Sequence, residues 1–266
     1  MFQIKRILFP VDFSPRCRGA AAYAESLAGR FEAELILLHV VEADYNSALE
    51  DVRGSRTADL EKFLGPSLKH LRVRALVEHG EAAQKIVECA TVQRADLIMI
   101  PTKGMGIYRR LILGSTSAKV LHDADCPVWT GVHLENAPSL EMMACRRILC
   151  AVDLKPLSTR VLDWASRLAE EYQAELTLAH IAPAGETQQA RDAALQAIKR
   201  LQEAAGCQAA LRVEAGDVAK TMAQLTAELK ADLVVIGRKP DAGVLGRLDM
   251  VAYAIIRQSP CPVVSV

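Results

Sequence analysis

The segment Lys5-Arg6-Ile7-Leu8-Phe9-Pro10-Val11-Asp12 returns, 141 residues later, as Arg146-Arg147-Ile148-Leu149-Cys150-Ala151-Val152-Asp153. The same offset joins Pro15 to Pro156, Leu27-Ala28 to Leu168-Ala169, Glu34-Leu35 to Glu175-Leu176, and His39 to His180. It falls to 136 at Ala95-Asp96-Leu97 and Ala231-Asp232-Leu233, and to 135 at Cys126-Pro127-Val128 and Cys261-Pro262-Val263. A near-constant offset with small slips marks a duplicated unit, so whatever one half folds into, the other does too. The halves are expected at 1–134 and 145–266, joined by a linker near Leu134–Cys145 that carries Asn136, Pro138 and Ser139.

Composition narrows the partners. The 266 residues hold 32 Lys plus Arg against 32 Asp plus Glu. A formal net charge of zero gives no bulk electrostatic grip on nucleic acid or on an anionic membrane surface. Apolar residues make up 51% of the chain, yet the longest pure runs, such as Leu35–Leu38 and Leu97–Ile100, are far shorter than the ~18 residues of a membrane span. Met1–Ile7 has no separate apolar core with a cleavage site. The seven cysteines form no Cys-x-x-Cys pair and are read as reduced thiols in a cytoplasmic protein.

Each half alternates apolar runs with helical periodicity. In the first, strands are expected at Ile4–Val11, Leu35–Val41, Val73–Glu78, Leu97–Ile100 and Val128–Val132. Helices are expected from Pro15 to about Arg30 behind a Ser14 cap, over Glu81–Gln93 with Ile86, Val87 and Ala90 on one face, and over Thr116–Asp123. Ser47–Leu71 reads as one or two helices interrupted at Gly65-Pro66. Continuous apolar strands separated by helices are the pattern of a parallel sheet covered on both faces, so each half is a doubly wound α/β domain. Ligands of such sheets bind beyond the carboxyl ends of the strands, at the switch point of the winding.

Two carboxyl-end loops carry the candidate chemistry. One is Pro10-Val11-Asp12-Phe13-Ser14. The other runs from Pro101-Thr102-Lys103-Gly104, across nine residues that include Arg109, Arg110 and no acid, to Gly114-Ser115-Thr116-Ser117. Glycines admit close approach of an anion, N–H groups at a helix start point outward with the dipole behind them, and the hydroxyls add donors. A plain turn with a capping serine uses the same residue types.

With these segments, Leu37-Leu38-His39-Val40 and Cys126-Pro127-Val128, the chain resembles the universal stress protein family in its tandem form over nearly its whole length. ATP-binding members of that family carry a G-x-x-G-x9-G-S/T pattern, matched by Gly104 and Gly114-Ser115; the first glycine is here Pro101, which lacks an N–H. The resemblance implies two flavodoxin-like doubly wound domains, each with a five-stranded parallel sheet, arranged as a pseudo-dimer. It implies a nucleotide at the strand carboxyl ends: Asp12 on the nucleoside, the backbone of Val40 on adenine, and Gly104, Gly114, Ser115 and Thr116 on phosphate. The ligand expected is ATP, or ADP or AMP, with any Mg2+ brought by the nucleotide.

The second half departs from the pattern. At an offset of 136, Gly237 matches Pro101, Pro240 matches Gly104, Met250 matches Gly114 and Val251 matches Ser115, while Asp241 and Asp249 add negative charge. That site reads as degenerate, with Asp153 a strand-end carboxylate capping local N–H groups. His39 and His180 read as packed, hydrogen-bonded residues, and Cys126 and Cys261 as small apolar ones.

The function expected is an adenine-nucleotide-binding stress-response regulator with ATP in the N-terminal repeat. The alternatives are a slow ATPase or self-phosphorylating protein, using Ser115 or Thr116 as acceptor, and a nucleotide-independent dimeric scaffold. No motif supplies a base, so no catalytic residue is assigned, and no metal site is expected. Val128–Val132 and Val263–Val266 end the two repeats and are expected to pair antiparallel within the chain, with a homodimer of whole chains left open.

Overall fold

The computed structural model describes residues 2–42, 56–60, 62, 71–101, 113–131, 144–239 and 249–266. They divide into two compact units, one taking in the described residues from Gln3 to Gly131, the other those from Ala144 to Val266.

The N-terminal unit contains β1 (Arg6–Pro10), α1 (Pro15–Phe31), β2 (Glu34–Val41), β3 (Arg72–His79), α2 (Ala82–Val92), β4 (Leu97–Pro101), α3 (Ser115–Asp123) and β5 (Val128–Gly131). Its strands run parallel in the order β3-β2-β1-β4-β5. The C-terminal unit contains β6 (Arg147–Ala151), α4 (Ser158–Tyr172), β7 (Glu175–Ala182), α5 (Gln188–Ala205), β8 (Ala210–Ala215), α6 (Val218–Glu228), β9 (Leu233–Ile236), α7 (Met250–Gln258) and β10 (Val263–Ser265). Its parallel order is β10-β9-β6-β7-β8, the same winding. Both units are thus the doubly wound, flavodoxin-like α/β class that the sequence predicts. Within that class the first strand lies centrally, and the winding reverses between β1 and β4 and between β6 and β9.

The strands form where the apolar runs lie because both sheet faces are covered. Ile7, Leu8, Phe9, Leu35, Ile36, Leu38, Leu97 and Ile98 have no exposed surface. β3, at one edge, is mostly half-exposed. β1 is shorter than Ile4–Val11 because the backbone N–H groups of Lys5 and Arg6 donate to the Asp96 carboxylate (2.7 and 2.9 Å). Asp232 receives Arg146 and Arg147 N–H in the same way (2.8 and 2.9 Å). The repeated Ala-Asp-Leu motif is therefore a clamp on the start of the central strand.

Local signals set the helix starts. Ser14 accepts from Cys17 N–H (3.2 Å), with Pro15 at the first helical position of α1. Glu81 accepts from Ala83 and Gln84 N–H at the start of α2, where Ala83, Ile86, Cys89 and Ala90 are buried and Val87 only half so. α3 begins at Ser115, one residue earlier than the pattern predicts. Of Ser47–Leu71, residues 56–60 are described as helical; the Gly65-Pro66 interruption lies outside the described residues.

Candidate functional site

At the carboxyl ends of β1, β2 and β4 lies a cleft of about 430 Å3, lined by Asp12, Val40, Glu42, Pro101, Gly114, Thr116 and Ser117, with an apolar wall that includes Leu38, Ile86 and Ile100. Its volume falls in the range of small-ligand sites, ~300–1,000 Å3. Because neighbouring strands lie ~4.8 Å apart, the order β2-β1-β4 spreads the site over ~10 Å: Val40 and Glu42 on one side, Asp12 central, Pro101 and the start of α3 on the other.

Val40 is placed by register. β1 pairs with β2 only as far as Pro10–Leu38, and Val11 N–H then donates to Leu38 C=O (2.7 Å). Residues two apart on a strand present their peptide groups to the same side, so Val40 turns its N–H and C=O toward the space that β1 has vacated. Val41 C=O faces the other way and accepts from Gly80 N–H (3.1 Å).

Asp12 is held by the turn after β1. Its Oδ1 accepts from Ser14 N–H (2.9 Å), and Phe13 between them has φ of 58°. The matching turn has Leu154 at φ 59°, with Asp153 Oδ1 accepting from Lys155 N–H (3.1 Å). The difference lies one helical turn on. Cys17, buried, donates its thiol to Pro10 C=O (3.6 Å) and lies close to the Asp12 carboxylate, whereas its counterpart Ser158 donates a hydroxyl to Asp153 Oδ1 (2.8 Å), and Lys155 Nζ sits 3.2 Å from Asp153 Oδ2. Asp153 is thus engaged from within its own unit, as a capping carboxylate.

Burial pushes the Asp153 pKa up, but the Lys155 N–H, the Ser158 hydroxyl and the Lys155 ammonium outweigh it and hold the pKa below the ordinary aspartate value. A depressed folded-state pKa stabilises above the unfolded value of ~3.9, and that contribution disappears as pH falls through the folded one. With the side chain 57% exposed, the effect is under about 1 kcal/mol. Denaturant unfolding between pH 5 and 2.5 should show wild type losing slightly more stability than Asp153→Asn on acidification; parallel curves would remove this role.

At the far side of the cleft, Gly114 is the N-cap of α3, with φ −61° and ψ 147°, and among the described residues no side chain caps the first-turn N–H groups. Gly114 and Thr116 line the cleft; Ser115 lies between them, exposed, and is not itself a lining residue. Gly104, Arg109 and Arg110 lie outside the described residues. Ser117, only 5% exposed, lines the cleft and donates to Pro101 C=O (3.2 Å). Of the three adjacent hydroxyls read from the sequence as donors, Ser117 is the one whose hydroxyl is already committed within the unit.

The structure corrects the correspondence between the repeats here. The helices α3 and α7 have equal length, and Ala118 N–H donates to Gly114 C=O as Tyr253 N–H does to Asp249 C=O (2.8 and 2.9 Å). The offset is therefore 135, not 136. Asp249 stands where Gly114 does, Met250 where Ser115 does, Val251 where Thr116 does, and Ala252 where Ser117 does. The Asp249 carboxylate accepts from Ala252 N–H (2.8 Å), occupying the helix start with negative charge, while Met250 is 84% exposed. Gly237 has a packing reason: a Cβ there would lie 2.9 Å from Val161 Cγ2, where the other repeat has Ala20.

The remaining candidates take structural places. His39 Nδ1 lies 2.8 Å from Val11 O and His180 Nδ1 2.9 Å from Val152 O, so each ring donates to the strand beside it. Burial pushes the thiols of Cys17, Cys150 and Cys261 up to about 12, which keeps them protonated and poor nucleophiles. Among the described residues no cluster of His, Cys, Asp or Glu is able to hold a metal ion, and no helix is long and apolar enough to cross a membrane.

Two parallel doubly wound units in one chain, one with a cleft at its switch point, define a tandem α/β protein with a candidate site in its N-terminal unit. Residues 3–130 and 144–266 each match the model of the universal stress protein family, and the chain belongs to that family of stress-response proteins. It is 34% identical over 131 residues to a universal stress protein of Thermus aquaticus, covering 47% of this chain and 96% of that one. It is 29% identical over 136 residues to one of Methanocaldococcus jannaschii, covering 47% and 79%. The fold matches the crystal structure of a universal stress protein from Archaeoglobus fulgidus with a TM-score of 0.81 at 20% identity, over 99% of this chain and 98% of that one.

Proposed function

We propose that the N-terminal unit binds one adenine nucleotide, ATP or its di- and monophosphate congeners, and that the chain acts as a nucleotide-binding regulator rather than an enzyme. The observation that carries this reading is the polarity of the cleft. Carboxylates and the outward-turned peptide of Val40 lie toward β2 and β1, where a ligand must offer N–H and O–H donors. The uncapped N-terminus of α3 lies toward β4, where a ligand must offer negative charge. A nucleoside phosphate has these two ends in this order and about this spacing. Asp12 would accept from the ribose hydroxyls, Val40 would read the base edge, and Gly114, Ser115 and Thr116 would receive phosphate, with Gly104 contributing from the loop. Any Mg2+ would be held by the nucleotide's own phosphates.

In the C-terminal unit Asp153 is engaged by Ser158 and Lys155, and Asp249 fills the helix start, which supports a vacant and structural second repeat. Calorimetric titration of the full chain with ATP, ADP, AMP and adenosine tests the reading. The phosphorylated ligands should bind more tightly than adenosine. Adenosine binding as tightly as ATP would remove the role assigned to α3.

A further inference from the structure

We propose that Ser117 is a positioning residue of the N-terminal cleft: its hydroxyl latches the first turn of α3 to the carboxyl end of β4, holding the open N–H groups of the helix where phosphate is to be received. The inference rests on the nucleotide reading above. A serine inside a helix ordinarily bonds back to its own preceding turn or faces water. Ser117 instead is buried and reaches across to Pro101 C=O, sixteen residues away at the end of another element.

The other repeat shows that the latch is not needed to build the helix. There Gly237 and Ala252 take the places of Pro101 and Ser117, and alanine has no hydroxyl to donate. Yet α7 has the same length as α3, an extended C-cap like it (φ −62°, ψ 132° against φ −67°, ψ 138°), and buried Ala252, Ile255 and Ile256. The hydrogen bond is present in the unit whose helix start is open and absent in the unit whose helix start is filled by Asp249. Between α3 and α2, Lys119 pairs with Glu81 (2.9 Å); both side chains are about half exposed, so the pair contributes little.

The test uses the full chain with Ser117→Ala and Ser117→Thr. Loss of one hydrogen bond that orients charge-bearing N–H groups should weaken ATP binding about five- to tenfold while changing adenosine binding by less than about twofold, and threonine should restore most of the ATP affinity. ATP affinity unchanged in Ser117→Ala, or an equal loss for adenosine, would overturn the positioning role. A ligand-free measurement separates this role from the nucleotide reading. Amide hydrogen exchange across Ala118–Val120, beginning with the Ala118 N–H that Gly114 C=O accepts, should accelerate in Ser117→Ala. Unchanged exchange would overturn the latch whatever the chain binds, whereas wild type that binds no ATP overturns the nucleotide reading.

Discussion

Replacing Gly114 with valine is expected to abolish ATP binding while leaving the protein folded. The backbone at Gly114 has φ −61° and ψ 147°, a region open to any L-residue, so the glycine is not there for conformational freedom. It precedes an uncapped helix start and lines the cleft. An isopropyl group at that point takes up the space through which phosphate approaches the N–H groups of α3. Losing two charge-assisted hydrogen bonds at about 1.5–3 kcal/mol each lowers affinity by ~100-fold or more. Because Gly114 is buried, exchanging it for valine should lower stability by about 1–3 kcal/mol, short of unfolding a domain of this size. Titration calorimetry and denaturant unfolding on one preparation separate the two effects. Valine-substituted protein that binds ATP like wild type would place the phosphates elsewhere.

Asp12→Ala should weaken ATP binding by roughly 10- to 150-fold, the range for hydrogen bonds to a charged group at ~1.5–3 kcal/mol. Asp153→Ala, its counterpart 141 residues on, should leave ATP affinity unchanged. The two aspartates follow equivalent strands, β1 and β6, sit in equivalent turns and accept from the N–H two positions on. They differ in that Ser158 and Lys155 close around Asp153, where the first unit has Cys17 and Ser14. Asp153→Ala should act on stability instead, because it leaves the buried Ser158 hydroxyl without its acceptor. Equal losses of affinity in the two variants would contradict the division of roles between the repeats.

The order of elements is legible in the chain because a strand covered on both faces must be apolar throughout, as Ile7–Phe9 and Leu97–Ile100 are. Ser14-Pro15 marks a helix start by itself. The correspondence of the repeats is harder to see at α3. Residue matching carries the 136 offset forward from Ala95-Asp96-Leu97, whereas the helix belongs with the 135 offset of Cys126-Pro127-Val128. Unbroken helices do not absorb a slip, so it falls in the loop before α3, which the position of Cys126 alone would have indicated. Ser117 is visible in the sequence as one of three adjacent hydroxyls, but its partner is not: helical rotation turns it inward two residues past Ser115, where it donates to Pro101 C=O rather than standing free as a donor. The sequence separates Asp12 from Asp153 only by the phosphate end of each site; the contacts that engage Asp153 come from Ser158 and Lys155, where the first unit has Cys17 and Ser14.

The number of nucleotides bound per chain tests the central claim most directly. Calorimetric titration of the full-length protein with ATP should give one site per chain, and none after Gly114→Val. Two equivalent sites, or a single site that survives Gly114→Val and disappears with substitution of Asp153, would contradict it.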